Sequence, residues 1–231
     1  MVKRGGKNDR VQQPLIVVAG EGDHDREVLR HLLPALLPVP RLLVEPIRGD
    51  KTDLSKADQQ LSPRVDKLRR LAQAMAVRKR AQLMGIVVHV DFDAAIDERY
   101  HATRKRISDE LTRAFSSQCD SALALAVSEM EGWLMLFPEV FPRVNKGWRL
   151  PDNIGHKDLG MIGDAKKHLK GILKQPAYSE SHAPDVMKKA VAVMREHQQT
   201  GKKDGLDLAS PRGRNQSYTD FVRDLTAWKT S

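Results

Sequence analysis

Three stretches of the chain end an apolar run in carboxylates. LIVVAGEGDHDREVL, residues 15–29, delivers Glu21, Asp23 and Asp25 just after a branched aliphatic segment. GIVVHVDFDAA, from Gly85, does the same with Asp91 and Asp93. SALALAVSEMEGWL, from Ser121, ends in Glu129 and Glu131. Carboxylates gathered at one place repel one another unless a cation lies between them. Hard oxygen ligands of this kind suit Mg²⁺ or Mn²⁺. A divalent ion held so would support phosphoryl transfer or phosphodiester hydrolysis. The plainer alternative makes each acid a helix cap or a favourable charge in a first helical turn, the role expected of Asp23 and open to Glu129. His24 and His89 flank the acids and could polarise a water, although a histidine by a strand end more often serves as a structural hydrogen-bond partner.

The elements that must position these residues follow from hydrophobic period and punctuation. Leu15–Ala19 is a continuous apolar run, the pattern of a strand covered on both faces. Val28, Leu29, Leu32 and Leu33 then mark one face of a helix. Residues 41–49, RLLVEPIRG, predict a second strand, with Pro46 placing it at a sheet edge. Ser62-Pro63 opens a helix expected to run to about Leu83. Gly85–Val90 reads as the third strand, residues 97–117 as a charged helix, and Ser121–Val127 as the fourth strand, turning straight into another helix. Strands alternating with helices predict a mostly parallel sheet, in which ligands sit outside the carboxyl ends of the strands. All three acidic stretches would then share one sheet edge. After Trp148 the pattern is helical, with segments at 164–173, 184–197 and 217–228. The expected organisation is a flexible basic arm over residues 1–12, an α/β core flanked by helices over 13–145, and a helical C-terminal extension over 146–231.

Composition sets the outer limits. In a chain of 231 residues, 40% are hydrophobic and 30% charged, as in globular proteins. The formal net charge of +9 favours a polyanionic partner. Only 5% of residues are aromatic, which argues against recognition by base stacking. The single cysteine, Cys119, excludes an internal disulfide framework and a cysteine-rich zinc site. No apolar run approaches the roughly 18 residues of a membrane span, and the N-terminus lacks the apolar stretch of a secretion signal, so a cytoplasmic protein is expected.

EGDHD after one strand and VDFD after a later one resemble the TOPRIM domain of topoisomerases, bacterial primases and OLD-type nucleases. SEMEGWL, GDAKKHL and NQSYTDFVRDL resemble small stand-alone TOPRIM-like proteins found beside ATPases in bacterial defence loci. The resemblance covers residues 14–137 well and the remainder loosely. It implies a Rossmann-like fold with Mg²⁺ held by Glu21 and the Asp91/Asp93 pair for work on nucleic-acid phosphodiesters, with Asp25 matching a further acid of OLD-like members. Two positions depart from the pattern: Ala95 stands where some members carry a third alternating acid, and His24 where OLD-like members commonly have Ser or Thr. The third carboxylate is therefore expected from Glu129 or Glu131. Arg26 and Arg30 on the first helix, and Lys166 and Lys167 by resemblance, are the candidate phosphate contacts. Tyr100, Tyr178 and Tyr218 lie in contexts unlike that of a topoisomerase nucleophile.

Other motifs carry less. GEG at residues 20–22 lacks the third glycine of a dinucleotide fingerprint, and GDKT at 49–52 lacks the upstream glycine of a phosphate loop. DFDAA lacks the residues that follow a haloacid-dehalogenase nucleophile. The expectation is a Mg²⁺- or Mn²⁺-dependent nuclease acting through Glu21, Asp91 and Asp93 on DNA or RNA, an effector in antiviral defence by resemblance. The competing expectation is a catalytically silent TOPRIM-fold adaptor. Nucleic acid, a partner ATPase and further copies of the chain are the candidate partners.

Overall fold

The computed structural model describes residues 12–49, 54 and 59–228. The arm expected over residues 1–12 thus lies, apart from Gln12, outside the described residues, as does most of GDKT. Four strands form one sheet: β1 (Pro14–Ala19), β2 (Leu43–Pro46), β3 (Gln82–Phe92) and β4 (Asp120–Val127), in the order β2-β1-β3-β4. All three pairings are parallel, so their carboxyl ends share an edge. The predicted α/β class with a parallel sheet is what the chain adopts.

Period-two alternation sorts the strand residues onto two faces. Leu15 and Val17 of β1, Ile86, Val88 and Val90 of β3, and Leu123, Leu125 and Val127 of β4 pack with α2 (Leu61–Lys79) and α3 (Glu98–Phe115). Ile16, Val18, Val87 and the three alanines Ala122, Ala124 and Ala126 face the other way, toward α1 (Asp23–Leu36) and the C-terminal helices. Those helices are α4 (Glu129–Leu134), α5 (Phe141–Val144), α6 (Ala165–Ile172), α7 (Ala183–Thr200) and α8 (Gln216–Thr226). Small side chains on β4 leave room for a layer of rings in which Trp133 stacks on Phe221 at 5.1 Å, with Tyr218 edge-on at 5.2 Å.

Element ends differ from the sequence expectation in ways that move the site. The second helix stops at Lys79 because Arg80 turns left-handed (φ 51°) and donates its amide back to the carbonyls of Ala76 and Val77. Strand β3 therefore begins at Gln82 and runs through Asp91 to Phe92. Pro46 does close an edge strand, as predicted, although β2 spans only Leu43–Pro46. Asp23 is not the cap of α1: Gly22 holds that position, and Asp23 is the first helical residue, paired with Arg26.

Candidate functional site

Chain order places the site. From β1 the chain passes through α1 on one face to β2, then returns through α2 on the opposite face to β3. The connections leave β1 and β3 in opposite senses, which opens a crevice between the carboxyl ends of those two strands. Register sets what enters it: Ala19 lies level with Val88, so Gly20 lies beside His89. The approach is close enough that a Cβ on Gly20 would stand 2.9 Å from the Cβ of His89. Glycine is required there.

His89 and Asp91 alternate onto the crevice face of β3, and the first turn of α1 brings Asp25 over them. Nδ1 of His89 stands 3.8 Å from Oδ2 of Asp25, and Nε2 stands 3.4 Å from Oδ1 of Asp91. One ligand atom from each of the three residues lies within 4.8 Å of the others. The imidazole is 0% exposed, yet neither ring nitrogen has a hydrogen-bond partner among the described residues, and the same holds for Oδ1 of Asp91. Buried polar atoms left so are costly unless something absent from the polypeptide satisfies them. A divalent cation with bonds of about 2.1 Å spans a ligand set only slightly tighter than this one, so the residues fit such an ion.

Around that centre lies a second layer of charge. Burial, with the nearby carboxylates of Asp25, Glu129 and Asp93, holds the Asp91 carboxyl above its ordinary range, against an opposing pull from His89. Asp93 is exposed, one residue beyond β3. Glu131, 3% exposed, accepts a hydrogen bond from the Tyr178 hydroxyl at 3.2 Å, and burial reinforced by Glu129 and Asp25 pushes its pKa up to about 7. Glu129 pairs with the Lys166 ammonium at 2.7 Å, and Glu180 takes the same ammonium at 3.2 Å. Burial works against the Lys166 charge, but the two carboxylates outweigh it and hold its proton more firmly than usual.

The turn presenting Glu129 is strained. Ser128 and Glu129 both adopt positive φ, 55° and 71°. The Ser128 amide donates to the Phe92 carbonyl at 3.2 Å, fixing this turn to the end of β3. Non-glycine residues persist in that conformation where their surroundings over-determine it, a pattern common at functional sites.

The predicted residues thus divide. Asp25 and Asp91 converge, with Asp93 and Glu129 near enough to oppose the charge of Asp91, and Glu131 feels both Glu129 and Asp25. Glu21 lies in the turn after β1, outside the group of three. Arg26 is buried and folded back onto the Gly20 carbonyl and Asp23, so it braces the turn rather than reaching outward. Arg30 is exposed and paired with Glu27 at 3.0 Å. Lys167 is exposed, while Lys166 is committed to the two glutamates. The residue whose place the sequence reading undervalued is His89. The signal was there: His89, Asp91 and Asp93 follow one another at a spacing of two.

The chain matches no family model, no curated protein and no solved structure.

Proposed function

We propose that the protein is a metal-dependent nuclease of TOPRIM type, hydrolysing phosphodiesters of DNA or RNA, with Asp25, His89 and Asp91 holding the cation. The observation that carries this reading is the fully buried imidazole with two unpartnered nitrogens, set between two carboxylates at the mouth of a parallel sheet. An imidazole ligand shifts the preference from Mg²⁺ toward Mn²⁺, because nitrogen donors bind the softer ion better. When bound, such an ion would polarise a phosphoryl oxygen and lower the pKa of a coordinated water. The chain's own groups supply the rest. Asp93, exposed beside the centre, faces the substrate side, and Glu131 can hold or release a proton near neutral pH. Glu21, a metal ligand by the resemblance, lies in the turn after β1 beside this set. The net charge of +9 supports a polyanionic substrate. A place in antiviral defence rests on the resemblance alone, as does a partner ATPase. Among the described residues no helix is long and apolar enough to cross a membrane.

A second reading, the silent adaptor, has one observation in its favour. Lys166 already neutralises Glu129, one of the two carboxylates expected to complete the metal shell. Cleavage assays separate the two. Wild-type protein should cut single- or double-stranded DNA or RNA with Mn²⁺ or Mg²⁺, stop in EDTA, and lose on the order of a hundredfold or more in Asp91→Asn and His89→Gln. Activity that survives EDTA or both substitutions overturns the nuclease. Metal-dependent stabilisation with nucleic-acid binding and no cleavage would favour the adaptor.

A further inference from the structure

A second constellation lies away from the carboxylate centre and shares no residue with it. A cavity of about 590 Å³, within the range of small-molecule sites, opens between the turn Pro138–Val140, the end of α7 and the loop over residues 202–213. Its wall includes His197 and Lys202. His197 is 8% exposed, and its Nδ1 receives the backbone N–H of Leu206 at 2.8 Å. A backbone amide can only donate. Nδ1 is therefore the unprotonated acceptor, and Nε2 carries the ring proton. Among the described residues, the group within hydrogen-bond distance of Nε2 is the Lys202 ammonium, at 3.4 Å. An ammonium has no acceptor lone pair. Two donors thus stand side by side at the wall of a cavity with no acceptor between them.

The loop is built to hold this arrangement. Gly201 closes α7 in the left-handed conformation (φ 63°), and the Lys202 amide returns to the His197 carbonyl at 3.0 Å. Gly205 passes directly over the ring: a Cβ there would stand 2.8 Å from the Cβ of His197. The ring is clamped from above and its tautomer is fixed from the side.

We propose that this cavity binds a small ligand through an oxyanion, a phosphate or carboxylate group, accepted jointly by His197 Nε2–H and Lys202. Arg212 at the same cavity adds positive charge, its guanidinium anchored to the Asp204 carbonyl at 3.1 Å. Asp152, Asp204 and Asp207 also line the cavity. These acids select against a bare polyanion and suit hydroxyl or amine groups on the remainder of the ligand. The site is thus one for a compact metabolite-sized anion, not for a nucleic-acid backbone.

The test is nitrogen-15 NMR of histidine-labelled full-length protein without metal, titrated separately with inorganic phosphate and with acetate at constant ionic strength. His197 should show the Nε2–H tautomer, and at least one anion should shift its resonances saturably where chloride does not. Saturation by phosphate alone assigns a phosphate site, and by acetate alone a carboxylate site. In Lys202→Met, an exposed position where folding is not at stake, affinity for that anion should fall about tenfold or more, the loss of one charge-assisted hydrogen bond. Asp91→Asn should leave it unchanged. An Nδ1–H tautomer, no saturable shift with either anion, or a Lys202→Met variant that binds like wild type would each overturn the proposal.

Discussion

Burial and three neighbouring carboxylates oppose ionisation of Asp91, outweighing the pull of His89 in its favour. Its folded-state pKa is raised, so the site contributes stability at low pH that is lost as pH rises and the carboxylate ionises. Asp91→Asn should therefore raise the melting temperature of the metal-free protein at pH 8. A cation bound only by the folded wild type stabilises it by about 2.7 kcal/mol at a hundredfold excess over Kd, several degrees for a chain of this size. Thermal melts with and without Mn²⁺ check both halves: if Asp91→Asn melts lower and metal moves neither protein, these acids are scaffolding. Glu131 makes a sharper pH prediction. With a folded pKa of about 7 against an ordinary 4.5, its proton contributes about 3 kcal/mol that is fully present below pH 4.5 and lost as pH climbs through 7. Between pH 5 and pH 8 the wild-type melt should fall relative to that of Glu131→Gln; parallel curves would contradict the assignment. At this scale the sequence showed which carboxylates to watch, since acids after apolar runs are visible in one dimension. The inward turn of Arg26 and the pairing of Lys166 with Glu129 depend on contacts between distant segments, which spacing does not encode.

Strand register, not any single acid, determines what meets in the crevice. Gly20 must lie level with His89 for Asp25 to approach the ring. Gly20→Ala forces its new Cβ against the Cβ of His89, an atom tied to the backbone of a central strand, so the strands themselves must give. The expected cost is about 1–3 kcal/mol, with the Mn²⁺-induced rise in melting temperature lost as well. Gly171→Ala is the control: a Cβ there meets nothing within 4 Å, and alanine favours the helix. Chemical denaturation of both variants reads the difference, and a Gly20→Ala protein as stable as the control would refute the close approach. Elements were largely legible because their apolar periods are strong. The end of the second helix was not, because its left-handed stop is an arginine rather than the glycine that usually marks one. The positive φ of Ser128 and Glu129 was hidden for the same reason.

The C-terminal part completes the molecule's main core. Ile16 and Val18 of β1, with the alanine face of β4, pack into the same buried cluster as Trp148, Leu169, Met187 and Phe221. Ser217 anchors this cover to the site's own scaffold: its hydroxyl accepts from the Val127 amide at 3.3 Å and from the Trp133 indole at 2.9 Å, and donates to Asn215 at 2.7 Å. On the other face, Tyr100 of α3 donates to Asp220 of α8 at 3.0 Å, while Arg104 pairs with Asp224. The sequence made these helices legible as amphipathic segments. That this part walls the carboxylate cluster through Lys166 of α6 and Tyr178 of the loop that follows could not be read, because nothing in a helix's period names the strand it will cover. The dependence is testable by truncation. A chain ending at residue 145 keeps all four strands and the Asp25, His89 and Asp91 set, but bares the apolar face that α6, α7 and α8 cover. It should collapse without a cooperative melt and bind a hydrophobic dye, as states lacking fixed packing do. Phe221→Ala in the full chain should lose about 3–5 kcal/mol, since it removes the ring stacked on Trp133 and leaves a cavity against β4. A fragment that melts cooperatively and gains stability from Mn²⁺ would show the opposite: a core that carries its own stability, with the C-terminal helices an addition to it.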